Sequence, residues 1–478
     1  MILGKHELTV DELWAWLASP TKVSIDDESM AALRVNQRAA ENAVRSGAAY
    51  GRTTGVGANR DVQANNEDGD HGMRLVRSHA AGAGEDLGEE VARAMMLVRA
   101  NQLSRPGSGI TPEIVESHVR AINDWRTPIV RMHGAVGTGE ITVLGELALC
   151  LAGEQPWRDG TKHDYGVRFG ANDALAFMSS SAVTVANAAI ALRDVEKLAK
   201  ASLVVAALTA LPVRANKQQW SEVASGTRPS PGVAIAAEVM RSLIDDSKYE
   251  SARTQDPFGW RPIPYIFGPL LDAIAVLRKE VNSCINFPVE NPRFTEGGVW
   301  HHGGFHLTSL ALRLDHLRLA LTQWITTALA RMVKLNDPIY TGQQRFLASG
   351  PAGSSGAMVL EYTAASALES LRLKADPVTR HTIVISIGTE DHAPFATQSV
   401  FQTREAVEAA RIVVACELVT AVRAARHAVS ATPGVGLRAV LEACRELPTA
   451  TDDRILVDDI QMAQSLLDSL VQFFDARF

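Results

Sequence analysis

Six short segments of the sequence hold side chains suited to acid–base or binding chemistry. The first is the run YGRTTGVG over residues 50–57, which begins at Tyr50. Glycines let a substrate approach such a loop closely, and positive charge near a buried tyrosine can lower its pKa enough for it to act as a base. The alternative is a surface turn with a packing tyrosine. No strand is predicted before the loop, so its GxG spacing is weak support for phosphate binding.

Two further segments stand just before predicted helices. His79, in the run SHAAGAG, is suited to lining a pocket or carrying a proton, or else it is a structural histidine. The run Gly137-Thr138-Gly139 precedes Glu140, near which a helix is predicted to begin. It is either a tight turn into that helix or a place where glycines permit unusual backbone chemistry, and the residues alone leave both open.

The last three segments lie in the second half of the chain. QDPFGWR ends at Arg261, and an arginine among aromatic residues can hold a carboxylate by two hydrogen bonds or form a structural salt bridge. HHGGFH over 301–306 has three histidines, but neighbouring histidines point in different directions and no HExxH spacing accompanies them, so we predict no metal site. Glu390-Asp391-His392 is either an acid–base site or a solvated loop.

Taken in order, these segments resemble the histidine and phenylalanine ammonia-lyase family, from about residue 45 to about residue 425. YGRTTGVG resembles the family's tyrosine loop, and SHAAGAGEDLGEEVARAMMLVRANQL resembles its serine-histidine stretch. QDPFGWR, HHGGFH and GTEDHAP resemble the segments that carry its glutamine and arginine, its active-site phenylalanine and its active-site glutamate. The resemblance implies a mostly all-α fold of the ammonia-lyase/fumarase-aspartase type with a core bundle of long helices. It also implies a homotetramer whose active sites draw residues from several subunits.

The resemblance also locates the family's prosthetic group. In family members an Ala-Ser-Gly tripeptide cyclises and loses two waters, and the resulting methylidene-imidazolone makes the substrate's nitrogen a good leaving group. The matching residues are Gly137, Thr138 and Gly139. Gly139 keeps the attacking backbone nitrogen, but Gly137 adds flexibility that weakens preorganisation, and dehydrated Thr138 would place a methyl group on the electrophilic carbon. We therefore predict that the methylidene-imidazolone is absent and that no external cofactor or metal is used.

The residues expected to touch substrate are mostly kept. By resemblance, Tyr50 matches the base that removes the β-proton and Arg261 matches the anchor of the substrate carboxylate. His79 and Glu390 resemble histidine-type rather than phenylalanine-type members, which favours a substrate with a polar or nitrogen-bearing ring. Two further positions match other parts of the pocket, Gln255 and Phe305.

The departures from the family cluster around the prosthetic group. Glu140 stands where the family has an aspartate, and Ser179 where it has the asparagine that hydrogen-bonds the group. Phe258 replaces the second active-site tyrosine, and Gly304 replaces the asparagine before the phenylalanine. Arg52, beside Tyr50, is unusual for the family and either contacts a second anionic group or faces solvent.

Helices are the elements predicted to position these side chains. Apolar spacing indicates helices over 89–103, 268–284, 306–334, 356–375 and 398–430, all rich in alanine, and Thr111-Pro112 indicates a helix start. No βαβ alternation is present. A hydrophobic content of 46% with 21% charged residues excludes a disordered chain, and a net charge of -7 gives no support to nucleic-acid binding.

We divide the chain by sequence character into three regions. Residues 1–170 form a loop-rich helical region that carries Tyr50, His79 and the tripeptide, residues 171–430 a long-helix bundle, and residues 431–478 a helical tail. The uncharged stretch 174–192 is long enough to cross a membrane, but its serines, threonine and asparagine favour a buried core helix, so no membrane contact is predicted. The amino terminus lacks a secretory signal, so we expect a cytoplasmic protein.

Three hypotheses about function follow. The first is an enzyme without methylidene-imidazolone, in which Tyr50 moves a proton beside a small carboxylate substrate held by Arg261, in an elimination, a conjugate addition or cyclisation, or an isomerisation. The second is a genuine aromatic amino acid ammonia-lyase or aminomutase with a prosthetic group made from Thr138. The third is a non-catalytic relative that binds a carboxylate ligand. Composition and motifs do not name the substrate.

Overall fold

Helices dominate the fold, as predicted. The computed structural model describes residues 1–226 and 230–476. Its first helices are α1 (Val10–Ala18), α2 (Asp27–Ser46), α3 (His71–His79), α4 (Glu89–Leu103), α5 (Pro112–Asn123), α6 (Ile141–Leu151) and α7 (Ala174–Met178). They are followed by α8 (Ala182–Ala210), α9 (Glu222–Ser225), α10 (Pro231–Ile244), α11 (Ile263–Asn286), α12 (Thr308–Leu335), α13 (Pro338–Thr341), α14 (Met358–Lys374), α15 (Ala396–Arg426), α16 (Val435–Ala443) and α17 (Val457–Asp475).

Strands are few and very short in the described chain. Parallel β1 (Ile2–Leu3) and β2 (Ser24–Ile25) form one pair. Antiparallel β3 (Ala83–Asp86) and β4 (Arg131–His133) form a second, and antiparallel β5 (Arg293–Thr295) and β6 (Gly298–Trp300) a third. The all-α fold class is therefore confirmed.

The chain folds as two compact units, each made of several segments. The first unit contains Met1–Ile190, Arg278–Leu312 and Pro377–Val400. The second contains Ala191–Leu277, Arg313–Asp376 and the chain from residue 401 onward. These units are interleaved along the sequence, whereas the division at residues 170 and 430 follows sequence character and stays a prediction.

In the first unit, helices with one buried face pack against helices that are buried almost all round. The first turn of α1 is closed by a capping box between Thr9 and Glu12. Helix α3 packs against α6 and α7, and α4 packs against α1 and α5. Helix α4 is buried almost all round, and its Arg99 donates to Glu290 Oε1 at 2.6 Å and to the Phe177 carbonyl at 2.9 Å. This charged network holds the end of α7 in place, directly before Ser179.

In the second unit, buried polar pairs stabilise the helices. Arg331 on α12 and Glu417 on α15 are fully buried and joined by two hydrogen bonds of 2.5 and 3.1 Å. Arg331 also donates to the Gly259 carbonyl at 3.1 Å, so the ion pair supports the loop that carries Phe258 and Arg261. Helix α10 packs on α16, and α16 on α17.

The predicted helix positions agree with the structure. The runs at 268–284, 306–334, 356–375 and 398–430 lie within or at most a few residues beyond α11, α12, α14 and α15. Thr111 occupies the N-cap position of α5 with Pro112 following, although its side chain makes no capping hydrogen bond. The stretch Ala174–Ala210 is apolar enough to span a membrane, but 94% of its most apolar window is buried inside the protein, as expected for a core segment. The single helix expected over 174–192 is interrupted at residues 179–181, which separate α7 from α8.

Candidate functional site

A cavity of about 1020 Å³ in the first unit brings together most of the predicted site residues. They come from loops far apart in sequence, and each loop adjoins a helix end. The predicted residues that line the cavity are Tyr50, His79, Thr138, Gly139, Ser179, Phe305 and Glu390.

The Tyr50 loop is folded back so that its own backbone holds the phenol. The Tyr50 hydroxyl accepts a hydrogen bond of 2.7 Å from the Gly57 N–H. Gly57 has a φ of +57°, and a Cβ at this position would collide with Ser386 Oγ, so glycine is required for this approach. The Tyr50 N–H donates to His301 Nε2 at 3.3 Å. The hydroxyl is thus fixed at the cavity wall by residues of the same loop.

The Glu390 loop is joined to the Tyr50 loop by two hydrogen bonds. Ser386 Oγ accepts from the Ala58 N–H at 2.9 Å, and Arg60 donates to Thr389 Oγ1 at 2.7 Å. Ser386 and the next residue have φ values of +54° and +51°, a left-handed conformation that is uncommon for residues with a side chain. Such strain persists only where surrounding contacts enforce it, and here it turns Glu390 toward the cavity.

The environment raises the pKa of Tyr50, contrary to the expectation of a lowered value. Burial is the main cause, because it disfavours the phenolate. The charge of Glu390 raises the pKa further, while the Gly57 N–H and Arg60 oppose the shift. Positive charge is present, as expected, but in this chain it does not outweigh burial and the nearby carboxylate.

His79 and Ser179 lie on the helix ends that border the cavity. His79 is the last residue of α3, and its Nδ1 is within 2.7 Å of the Leu75 carbonyl oxygen. Because a carbonyl oxygen only accepts, this contact assigns a proton to Nδ1. Ser179 follows α7 directly, and its Oγ accepts from the Asn291 N–H at 3.3 Å. Asn291, which also lines the cavity, was not predicted from the sequence.

The tripeptide loop is held on both sides by the starts of two long helices. The Gly137 carbonyl accepts from the Leu307 N–H at 3.1 Å, just before α12. Gly137 has a φ of +86°, and a Cβ there would lie 2.7 Å from the Ala396 backbone nitrogen at the start of α15. A Cβ on Gly139, by contrast, would meet nothing within 4 Å. The loop therefore has no room for the alanine from which the family's prosthetic group is made.

Glu140 acts as a cap for a helix remote from it in sequence. Its two carboxylate oxygens accept from the Val183 and Thr184 N–H groups, at 2.6 and 2.8 Å, in the first turn of α8. The side chain is fully buried, and burial raises its pKa to about 7 despite these hydrogen bonds. Glu140 also occupies the N-cap position of α6, close to where the sequence predicts that helix to begin.

Two histidines that line the cavity are in direct contact. His392 Nδ1 lies 3.1 Å from His306 Nε2, and His306 Nδ1 lies 2.8 Å from Thr308 Oγ1. Both histidines stand in the segments singled out from the sequence, where they were weighed as metal ligands or as part of an acid–base pair. In the described chain no group of three or more histidine, cysteine, aspartate or glutamate side chains is arranged to hold a metal.

The three remaining predicted residues form a separate cluster in the second unit. Arg261 Nη1 donates to Gln255 Oε1 at 2.5 Å, and its guanidinium lies 4.7 Å from the centre of the Phe258 ring. Phe258 is 67% exposed, which is unusual for a large apolar side chain. Gln255, Phe258 and Arg261 are not among the residues that line the cavity of the first unit.

Arg52 is neither solvent-facing nor part of the cavity wall. It is 4% exposed, donates to the Ser108 carbonyl, and lies 4.0 Å above the ring of Phe294. Burial lowers its pKa to about 10, partly offset by the charges of Asp173 and Glu41. Arg52 therefore packs the loop that carries Tyr50 against the protein interior.

Fold, cavity and motif order together define the class of protein. A model of the aromatic amino acid lyase family matches residues 8–446. The chain is 30% identical to the histidine ammonia-lyase of Geobacillus thermodenitrificans, with 98% of this chain and 97% of that protein covered. The chain belongs to the aromatic amino acid lyase family, and the predicted carbon–nitrogen lyase class is confirmed.

Two solved structures share the fold over nearly the whole chain. The ergothionase of Treponema denticola, an ergothioneine-degrading enzyme, has a TM-score of 0.91 at 23% identity, with 98% of this chain and 99% of that chain covered. The tyrosine aminomutase of Streptomyces globisporus has a TM-score of 0.90 at 23% identity, with 100% and 98% covered. At this identity the likeness describes the fold.

Proposed function

We propose that this protein eliminates a nitrogen group from a small carboxylate substrate with a polar or nitrogen-bearing ring, without a methylidene-imidazolone. A conjugate addition or cyclisation, or an isomerisation, would use the same base, Tyr50, and the same carboxylate anchor, Arg261. The observation that carries the proposal is the cavity that collects Tyr50, His79, Phe305 and Glu390 beside the altered tripeptide Gly137-Thr138-Gly139.

In the proposed elimination, the Tyr50 phenolate takes the proton from the substrate carbon next to the one that bears nitrogen. The electrons of that carbon–hydrogen bond form a double bond, and the carbon–nitrogen bond breaks with its electron pair leaving on nitrogen. A cationic nitrogen placed against Glu390 would pair with this carboxylate. The same charge would lower the pKa of Tyr50, because it opposes the two influences that raise it.

Without a prosthetic electrophile, the substrate must bring its own good leaving group or an already acidified proton. A quaternary ammonium meets the first need, because it departs as a neutral amine without receiving a proton. Ergothioneine, which is degraded by the ergothionase of the same fold, carries a trimethylammonium group beside its carboxylate. We therefore place betaines of this kind with histidine and tyrosine among the candidate substrates.

The charges of the cavity support a site completed by another subunit. Asp61, Glu390 and Asp391 line the cavity, whereas its only lining arginine among the described residues is Arg60. Arg60 is already close to Asp61, at 3.6 Å, and bonded to Thr389. A substrate carboxylate therefore lacks a free arginine or lysine partner among the described residues of the cavity, and Arg261 of a neighbouring chain in the predicted homotetramer would provide one.

The experiment offers L-histidine, L-tyrosine and ergothioneine to the purified protein and follows the absorbance of a conjugated double bond and the release of amine. In Tyr50→Phe we expect kcat to fall by about 10²–10⁴, because a general base is lost. The matched control is Tyr362→Phe, which changes a tyrosine that is 70% exposed on α14. Equal rates for Tyr50→Phe and the wild type would exclude Tyr50 as the base.

The second candidate, an ammonia-lyase or aminomutase with a group made from Thr138, is favoured by the histidine ammonia-lyase relatives and by Thr138 lining the cavity. Intact-protein mass separates the two. A deficit of two waters would establish cyclisation and refute the first proposal, and the full mass would refute the second. Ligand binding that survives Tyr50→Phe, with no product from any of the three compounds, would instead indicate the non-catalytic alternative.

A further inference from the structure

A second cavity adjoins the larger one in the first unit. It measures about 230 Å³, and we call it the side cavity. Ser179 and Phe305 line the larger cavity, whereas Ser181 and Leu307, each two residues further along the chain, line the side cavity. Of the described residues, only His306 lines both. The two cavities therefore share a wall but differ in the side chains that they offer to a ligand.

One side of α11 gives the side cavity its charge. Glu280, Ser283 and Cys284 line it from this helix, three and four residues apart and so on the same side. The Glu280 carboxylate makes no ion pair among the described residues and accepts one hydrogen bond, of 3.9 Å, from the Cys284 thiol. Burial and the charge of Glu280 raise the pKa of this thiol to about 12, so the thiol stays neutral. Burial also lowers the pKa of His306, which disfavours a cation that would balance Glu280.

A buried hydroxyl adds a polar group to the wall. Ser181, directly before α8, is 1% exposed, and its Oγ has no hydrogen-bond partner among the described residues. Buried hydroxyls are normally hydrogen-bonded, so this position suits a ligand that carries a donor or an acceptor. Apolar side chains complete the lining, among them Val185, Phe287 and Leu307. The side cavity thus combines a negative charge, a free hydroxyl and an apolar surface.

Gly304 keeps part of this wall free of side chains. A Cβ at residue 304 would lie 3.0 Å from His302 Nδ1 and 3.9 Å from the Phe287 ring. A longer side chain at this position would therefore take up space beside Phe287, which lines the side cavity. The resemblance places an asparagine here in the ammonia-lyase family. The space beside Phe287 is thus tied to one of the departures of this chain from the family pattern.

From these observations we propose that the side cavity binds a small primary ammonium compound with a short alkyl chain. The ammonium donates to the Glu280 carboxylate and has donors left for the Ser181 hydroxyl, since it carries three N–H groups. The alkyl chain packs against the apolar lining. A volume of about 230 Å³ lies below the roughly 300–1,000 Å³ of pockets for drug-sized ligands, so the compound has few heavy atoms. The proposal concerns binding alone and does not depend on the proposed function.

Propylammonium and 1-propanol form a matched pair of probes, because they differ mainly in charge. Binding of each to the purified protein is measured by ligand-observed NMR at neutral pH, without substrate. We expect saturable binding of propylammonium that is about tenfold or more tighter than that of 1-propanol. Glu280→Gln removes a charge-assisted hydrogen bond and should weaken propylammonium binding by about tenfold or more. Ser181→Ala removes a neutral partner and should weaken it about two- to tenfold.

The location of the bound compound is tested with substitutions that keep Glu280. Ser283→Trp, at an exposed position of α11, would fill the side cavity and should abolish binding. Glu390→Gln removes a carboxylate of the larger cavity, and Glu113→Gln an exposed one on α5, and both variants should bind propylammonium as the wild type does. The proposal would be overturned by binding that does not saturate, by equal binding of 1-propanol, by unchanged affinity in Glu280→Gln, or by loss of binding in Glu390→Gln.

Discussion

Glu140 is the residue whose burial has the clearest consequence. Its carboxylate is fully buried, yet it makes no ion pair among the contacts of the described chain and depends on the N–H groups that open α8. A helix amino terminus favours negative charge, which explains why a carboxylate is tolerated there. Burial still raises its pKa to about 7, so Glu140 titrates near neutrality.

We predict that Glu140 makes the protein less stable as pH rises toward 7. In the folded state its pKa is about 7, against an ordinary value of 4.5, so the folded protein binds more protons between these limits. Stability therefore falls as pH rises through this window and levels off above it, by about 3 kcal/mol in all. Urea unfolding of the wild type and Glu140→Gln from pH 5 to pH 8 measures this difference.

The control for this prediction is Glu113→Gln, which changes an exposed carboxylate in the first turn of α5. Glu140→Gln also loses part of a hydrogen bond, about 1 kcal/mol, so its absolute stability is not the diagnostic quantity. The diagnostic quantity is the slope of stability with pH. An identical slope in wild type and Glu140→Gln would show that Glu140 does not titrate in this range.

The sequence predicts which residues lie near one another better than it predicts their electrostatic environment. Tyr50, His79, Thr138, Phe305 and Glu390 line one cavity because each motif keeps its own local turn. The pKa of Tyr50 is raised, whereas the motif suggested a lowered value. The shift depends on burial and on the carboxylate of Glu390, which lies in a loop more than three hundred residues away in sequence. Pairings of this kind leave no pattern in a single sequence.

At the scale of elements, the tripeptide loop is confined by helix starts. The N–H of Leu307 before α12 holds the Gly137 carbonyl, and the start of α15 occupies the space that a side chain on Gly137 would need. Helix lengths were predictable because alanine-rich apolar spacing continues over many turns. The contact between the tripeptide loop and α15 was not predictable, because the two segments are far apart in sequence and neither contains a pattern that indicates the other as its partner.

We predict that Gly137→Ala destabilises the protein more than Gly139→Ala does. Both residues have positive φ, +86° and +119°, so both substitutions introduce backbone strain of about 1–3 kcal/mol. Only Gly137→Ala also sets a methyl group 2.7 Å from a backbone nitrogen, which must move. The free energy of unfolding of the two variants, measured in denaturant, differs by the cost of this close contact. Equal losses of stability would show that the loop has room for alanine at residue 137.

At the scale of the whole molecule, the predicted base and the predicted carboxylate anchor belong to different units. The cavity of the first unit holds the proposed base and several carboxylates, and the second unit presents Arg261 beside an exposed Phe258. A large exposed aromatic ring next to a cation is typical of a surface that meets a partner. The homotetramer implied by the resemblance remains a prediction, and in it Arg261 of one chain would complete the cavity of another.

This arrangement predicts that two inactive variants restore activity when they assemble together. Tyr50→Phe lacks the base and Arg261→Ala lacks the anchor, so each variant alone should be inactive on the substrate that the wild type turns over. In mixed tetramers formed by coexpression at equal amounts, about one site in four would combine the intact Tyr50 of one chain with the intact Arg261 of another. The measurement compares coexpressed variants, separated by two different tags, with variants mixed after purification. Activity near a quarter of the wild-type value in the doubly tagged fraction would establish that sites are shared between chains. No recovery of activity in mixed tetramers would mean that Tyr50 and Arg261 of the same chain form one site, or that Arg261 has no part in catalysis.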